Sequence, residues 1–260
     1  MDLQLANKVF IVTGGAKGIG ASISKIIASE GGIVLIAGRD KTDNLQMVDE
    51  IIKSKGRAAS VTAELSSREA CKEVIGFTVE KYGRIDGLVN NAGVNDSVGL
   101  EKGTPERYLE SLIVNLSHYY NMAHYALPHL KKSKGVIVNV GSKTAETGQG
   151  NTSGYASAKG GINALTREWA VELLPYGIRV NCVIPSEVWT PLYEKWINKQ
   201  PNPEEKLKQI VSKIPLEKRF TTAEEIANMV VFLLSGKSSH TTGQLIHVDG
   251  GYVHLDRALT

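Results

Sequence analysis

The sequence predicts one doubly wound α/β domain on a parallel sheet, spanning residues 1–260. Three observations carry this. Short β-branched runs alternate with longer amphipathic stretches over the whole length. The strand-like runs are apolar on both faces, beginning with Val9-Phe10-Ile11-Val12, as a sheet covered by helices on both sides requires. No internal repeat, low-complexity tract or linker interrupts the alternation.

In chain order, the residues from Lys8 to Thr13 form the first predicted strand and those from Gly18 to Ser29 the first helix. A second strand is expected over Ile33 to Ala37, then a helix from Thr42 to Lys55 with Thr42 as its N-cap. Further strands are expected over 58–62, 85–89, 135–140, 178–184 and 244–248, and further helices over 67–82, 105–131, 153–174 and 222–234. The least regular stretch, 185–215, carries Trp189, Trp196 and several prolines. A long connection late in such a sheet, past the C-terminal end of a strand, suits a substrate lid.

Composition narrows the function classes. Apolar residues make up 42% and charged residues 22%, ordinary globular usage with ample material for a core. The net charge of +3 is dispersed, with no basic face of the kind nucleic acid requires. Lys131, Lys132 and Lys134 are the nearest approach, and cations at a helix end complement its dipole. No apolar run approaches the roughly 18–20 residues that span a bilayer, and the N-terminus lacks a signal-peptide pattern. The two cysteines, Cys71 and Cys182, suit a reducing compartment, so a cytoplasmic location is expected. No metal-ligand set is read from the sequence.

Thr13-Gly14-Gly15-Ala16-Lys17-Gly18-Ile19-Gly20 lies between the first strand and the first helix. There, Gly14 permits the sharp turn, Gly18 lets the backbone approach a pyrophosphate, and Gly20 permits close packing of helix on strand. The helix N-terminus then faces the anion. A carboxylate at the end of the second strand would bind the 2′-hydroxyl of NAD. Here Gly38 holds that position, with Arg39 beside it and Lys17 in the turn, so NADP is favoured. Asp40 follows at once, which keeps NAD open as an alternative.

Tyr155 and Lys159 stand four apart, on one face of a helix. Ser142 follows a strand upstream, and Asn115 interrupts the apolar pattern of a long helix. Interconverting an alcohol and a carbonyl moves a hydride at carbon and a proton at oxygen. An ordinary phenol, with a pKa of about 10, is anionic about once in a thousand molecules at pH 7, a cost of roughly 4 kcal/mol. A neighbouring lysine cation lowers that cost, and a serine hydroxyl can hold the substrate oxygen near the phenol.

These motifs, together with Asn90-Asn91-Ala92-Gly93, resemble the short-chain dehydrogenase/reductase family over essentially the whole length. The resemblance implies a Rossmann-type sheet of seven parallel strands and a catalytic tetrad of Asn115, Ser142, Tyr155 and Lys159. It also implies that Lys159 binds the nicotinamide ribose and that Asn115 holds a proton-relaying water. The implied cofactor-binding residues are Gly14, Lys17, Gly18, Ile19, Gly20, Arg39, Glu64, Leu65, Asn91, Ala92, Gly93, Tyr155, Lys159, Pro185, Val188 and Thr190. Two departures stand out. Glu64 replaces the Asp that often meets the adenine amine, and Ser186 replaces Gly after Pro185. Many members are tetramers, so a homotetramer is implied, with the apolar tail residues Leu255 and Leu259 available to pack against another subunit.

Within the family, the 248–259 tail and the segments 142–145, 148–155 and 184–188 resemble the bacterial L-fucose dehydrogenase branch. That implies oxidation of the anomeric hydroxyl of a free sugar to a lactone. Asn95, Ser142, Lys143, Gln149, Asn151, Tyr155, Glu187 and Trp189 are the expected substrate contacts, with Asp96 beside them. A closed sugar site needs many polar partners, since each unpaired hydroxyl costs about 1–3 kcal/mol. Trp189 can stack on an apolar sugar face or simply pack the lid. Two rivals stand beside this reading: an NADPH-dependent reductase of 3-oxoacyl or other ketone substrates, and a non-catalytic dinucleotide-binding module.

Overall fold

The computed structural model describes residues 2–256. Leu259, one of the two tail residues expected at a subunit contact, lies outside them; Leu255 is half exposed. The strands are β1 (Val9–Thr13), β2 (Ile33–Gly38), β3 (Arg57–Thr62), β4 (Gly87–Asn90), β5 (Val136–Val140), β6 (Arg179–Pro185) and β7 (Leu245–Val248). They form one seven-stranded parallel sheet in the order β3-β2-β1-β4-β5-β6-β7. The chain is thus a single α/β domain of Rossmann type, and the strand order reverses between β1 and β4. A crevice opens beyond the strands' C-terminal ends at such a reversal.

Alternation within each strand divides the core into two layers. Phe10, Val12, Val34, Ile36, Val89 and Val138 pack against Ile23 and Ile27 of α1 (Gly18–Ser29), Met47 and Ile51 of α2 (Lys41–Lys53), and Val230 and Leu234 of α9 (Ala223–Leu234). Ile11, Leu35, Leu88, Ile137 and Cys182 face α3 (Arg68–Tyr82), α5 (His118–Ser133) and α6 (Ser153–Glu172). Cys71 and Cys182 are buried free thiols, small apolar fillers in this layer. Among the described residues, no helix is long and apolar enough to cross a membrane.

Several boundaries differ from the sequence-based expectation. Asp40, not Thr42, caps α2, because its carboxylate accepts the Asp43 backbone N–H at 3.0 Å. The fourth strand starts at Gly87 rather than Ile85, since the Asp86 carboxylate turns back to accept Val9 N–H at 2.9 Å. The single helix expected over 105–131 is three pieces: α4 (Pro105–Leu112), a π-helical turn (Ile113–Ser117) and α5. Nor is the 185–215 stretch irregular, for it contains α7 (Pro191–Ile197) and α8 (Pro203–Val211). Each of these helices starts on a proline, whose fixed φ suits a first helical position.

Candidate active site

The glycine turn is built for close approach. Gly14 and Gly18 have φ of +62° and +54°, the left-handed region that glycine enters at no steric cost. A Cβ on Gly20 would lie 2.1 Å from the Gly14 carbonyl oxygen and 2.6 Å from the Asn91 amide nitrogen. Asn91 Nδ2 donates to Thr13 O at 2.9 Å, while Thr13 Oγ1 accepts the backbone N–H groups of Asn91 and Ala92 at 2.8 and 3.0 Å. The ends of β1 and β4 are thereby clamped on either side of the crevice. Lys17 precedes α1 without a side-chain cap, so the first N–H groups of α1, including that of Ile19, face outward. An open helix N-terminus and a side-chain-free cradle fit the pyrophosphate of a dinucleotide.

Farther along the crevice, Lys17 is ion-paired with Asp43, and Arg39 is the exposed cation at the end of β2. Glu64 is exposed and accepts from the Ser66 hydroxyl at 3.0 Å, whereas Leu65 is buried. On the opposite wall Pro185 ends β6, Val188 is buried and pairs as a bridge with Thr221, and Thr190 caps α7. A Cβ on Gly18 would stand 3.3 Å from the Thr190 methyl, so the two walls meet there.

Lys159 is 2% exposed. Its ammonium donates to Val140 O at 2.8 Å and to Tyr119 Oη at 3.2 Å, and lies 5.5 Å from the Tyr155 ring centre. Burial lowers its pKa to about 8, so the cation persists at pH 7. The phenol differs from expectation. Burial pushes the pKa of Tyr155 up to about 12; the Ser142 hydrogen bond opposes this and the nearby Asp96 carboxylate adds to it. The lysine is engaged elsewhere, so the local balance raises rather than lowers the phenol's pKa.

Asn115 is fully buried in the π-helical turn, and π-turns inside helices recur at functional sites. Its amide oxygen accepts Val94 N–H at 2.8 Å, and a Cβ on Gly93 would lie 3.1 Å from that oxygen and 3.8 Å from Lys159 Nζ. Ser142 follows β5, and its hydroxyl accepts from Thr144 N–H at 3.3 Å and from Thr144 Oγ1 at 3.0 Å. Asn115, Ser142, Tyr155 and Lys159 thus gather where β4 and β5 end.

The expected substrate residues separate into two groups. Lys143 and Glu187 form a largely buried ion pair, with the Lys143 ammonium 4.0 Å from the Tyr252 ring centre. Burial first, and the Glu187 carboxylate second, hold the Tyr193 phenol well above its ordinary pKa. Trp189 packs edge-on against Phe220 at 5.4 Å, within a cluster that includes Tyr193 and Trp196. Asn95, Gln149 and Asn151 are exposed; Asn95 accepts Ser97 N–H at 3.2 Å, and Asn151 backs onto Gly99.

Sequence reading missed two residues here. Tyr119 shares Lys159's ammonium, and buried His118 beside it is held near pKa 3 by burial and by the Lys159 cation. Both look like ordinary members of a helix face. Asp96 stood among the polar loop residues, but its exceptional feature is tertiary: its Oδ1 is buried without a hydrogen-bond partner. The hydroxyl of Ser186, the residue replacing glycine, is likewise buried and unpartnered.

The model of a family described as enoyl-(acyl carrier protein) reductase matches residues 14–253. The 3-oxoacyl-[acyl-carrier-protein] reductase of Thermotoga maritima is 38% identical, covering 96% of this chain and 100% of its own. The L-fucose dehydrogenase of Oryctolagus cuniculus is 34% identical over 95% of this chain and 86% of its own. Among solved structures, Cj0485 dehydrogenase superposes with a TM-score of 0.94 at 48% identity, covering 100% of this chain and 99% of that one.

Proposed function

This chain belongs to the short-chain dehydrogenase/reductase family and is an NAD(P)-dependent oxidoreductase, and on that premise we propose that it oxidises the anomeric hydroxyl of a free aldose, L-fucose or a close relative, to the lactone. The carrying observation is the polar character of the space around the Tyr155 phenol. Asp96 brings an unpartnered carboxylate oxygen there, and Lys143 and Glu187 add a buried ion pair nearby. Buried polar groups without partners suit a substrate rich in hydroxyls and penalise an apolar acyl chain.

Tyr155 is the general base and Ser142 holds the reacting oxygen. The substrate O–H bond breaks and its proton passes to the phenolate as the carbonyl forms. A bound nicotinamide supplies the acceptor for the hydride leaving the anomeric carbon. Lys159 keeps a positive charge beside the phenol, and Asn115 fixes the backbone of Val94 behind it. Gly14, Gly18, Ile19 and Gly20 would hold the pyrophosphate, Ala92, Gly93, Val188 and Thr190 would line the nicotinamide side, and the 185–215 segment is the substrate lid.

NADP is the proposed cofactor, on the strength of Arg39. Arg39→Ala is expected to lower kcat/KM for NADP by about 10–100-fold, the scale of a charge-assisted hydrogen bond, and to leave kcat/KM for NAD nearly unchanged. Steady-state kinetics with both cofactors measures the ratio. Asp96→Asn removes the anion that hinders phenolate formation, so the alkaline rise of the oxidation rate should shift to lower pH, while KM for the sugar rises. An unmoved pH profile would exclude Asp96 from the site.

Purified protein given NADP or NAD and a panel of aldoses should reduce the cofactor, with L-fucose among the best substrates. The second reading, reduction of a 3-oxoacyl thioester with NADPH, is favoured by the 38% identity to the Thermotoga reductase. Faster turnover of such a thioester than of any sugar would select it.

A further inference from the structure

Away from the phenol, a second constellation stands without a role in the chemistry described above. Glu146 follows the short turn Lys143–Ala145, His247 is on β7 opposite Ile184, and His254 is in the turn after Asp249. Glu146 is 101 residues from His247 in sequence, yet each of the three residues offers one donor atom and these atoms lie within 4.8 Å of one another. Glu146 Oε2 and His247 Nε2 are 3.0 Å apart, and the rings of His247 and His254 meet at right angles with centres 4.4 Å apart. We propose that Glu146, His247 and His254 form a site for a divalent transition-metal ion of the zinc class, bound by two imidazoles and one carboxylate.

The donors are held by their neighbours. Asn163 Nδ2 donates to the other Glu146 oxygen at 3.4 Å, steadying the carboxylate as outer groups commonly do in metal sites. Asp249 accepts Gly251 N–H at 2.8 Å and Val253 N–H at 2.9 Å, fixing the turn that carries His254. Zinc-ligand bonds of about 2.0–2.2 Å place tetrahedral donors about 3.3 Å apart. The Glu146–His247 pair, at 3.0 Å, needs only a small separation to reach that spacing, and rotation of the exposed His254 side chain would close the rest. The three donors open into a cleft of about 400 Å³, also lined by Arg167. Arg167 brings a cation to the same cleft, which suits an anionic fourth ligand such as chloride or a carboxylate. Imidazole donors select zinc, nickel or copper over magnesium or calcium. Bound there, the ion joins the C-terminal segment to the chain just after Ser142 and Lys143.

The test is titration of chelator-treated full-length protein with zinc chloride by calorimetry, alongside thermal unfolding. One ion per chain is expected, with an unfolding midpoint about 5–10 °C higher at zinc a hundredfold above Kd, and no rise with magnesium chloride. His254→Ala and Glu146→Gln should each abolish that binding, and because both side chains are accessible these variants keep the metal-free fold. Cobalt(II) should give visible absorption bands in the parent chain only. No zinc binding, or equal binding and equal bands in both variants, would overturn the proposal. The readouts do not depend on turnover, so the outcome is separate from whether the substrate is a sugar.

Discussion

Replacing Tyr155 with Phe is expected to lower kcat by about 10²–10⁴, the usual contribution of a positioned acid–base group, while leaving NADP affinity nearly unchanged. The Lys159 ammonium, 5.5 Å from the Tyr155 ring centre, stays anchored to Val140 O and Tyr119 without the phenol, so the substitution removes a proton acceptor and little else. The parent enzyme's pH profile carries a linked expectation. With the phenol held at about 12, the anion is scarce at neutral pH, and oxidation should accelerate as pH rises. The rise should level off above about pH 8, where Lys159 begins to lose the proton that makes it a cation. The reverse reaction needs the protonated phenol and should show no such alkaline gain. Stopped-flow turnover and equilibrium cofactor binding, each from pH 6 to 10, separate these effects. Undiminished turnover in Tyr155→Phe would remove the phenol from the mechanism.

Gly20→Ala is expected to abolish useful dinucleotide binding and to destabilise the protein by about 1–3 kcal/mol, the range for overpacking a tight contact. The new methyl would stand 2.1 Å from the Gly14 carbonyl oxygen, which is backbone, and 2.6 Å from Asn91 Nδ2. Neither can retreat freely, because Asn91 is tied to Thr13 and Gly14 N–H donates to Ala37 O at 2.7 Å. The turn must open, and the cradle opens with it. Thermal unfolding with and without NADP measures both parts: a lower midpoint alone, and no rise on adding the cofactor. A rise equal to that of the parent chain would show that the cradle tolerates the methyl group.

Much of the fold was legible because its determinants are local. Strand runs apolar on both faces identify a covered parallel sheet, and the spacing of Gly14, Gly18 and Gly20 identifies a turn that must come close to something. The i, i+4 spacing of Tyr155 and Lys159 requires only that their helix form. The break at Ile113–Ser117 was not legible, because one extra residue in a helical turn leaves the apolar pattern nearly intact. Likewise, α7 and α8 are short and begin at proline, which reads as punctuation in a loop until the fold shows helices there.

The sequence by itself determined the sheet and the glycine turn, which rest on the periodicity and order of neighbouring residues, and its family resemblance pointed to the four catalytic candidates. Tertiary structure alone decided what those residues experience. Lys159 is turned to Val140 and Tyr119, Asp43 takes Lys17 and leaves Arg39 exposed, and one carboxylate oxygen of Asp96 is buried near the phenol without a hydrogen-bond partner. It also brought Lys143 to Glu187 and gathered Glu146, His247 and His254 at one cleft. Charge and hydrogen bonding act over a few ångströms of space, and contacts between residues 44 or 101 positions apart leave no trace in a local pattern.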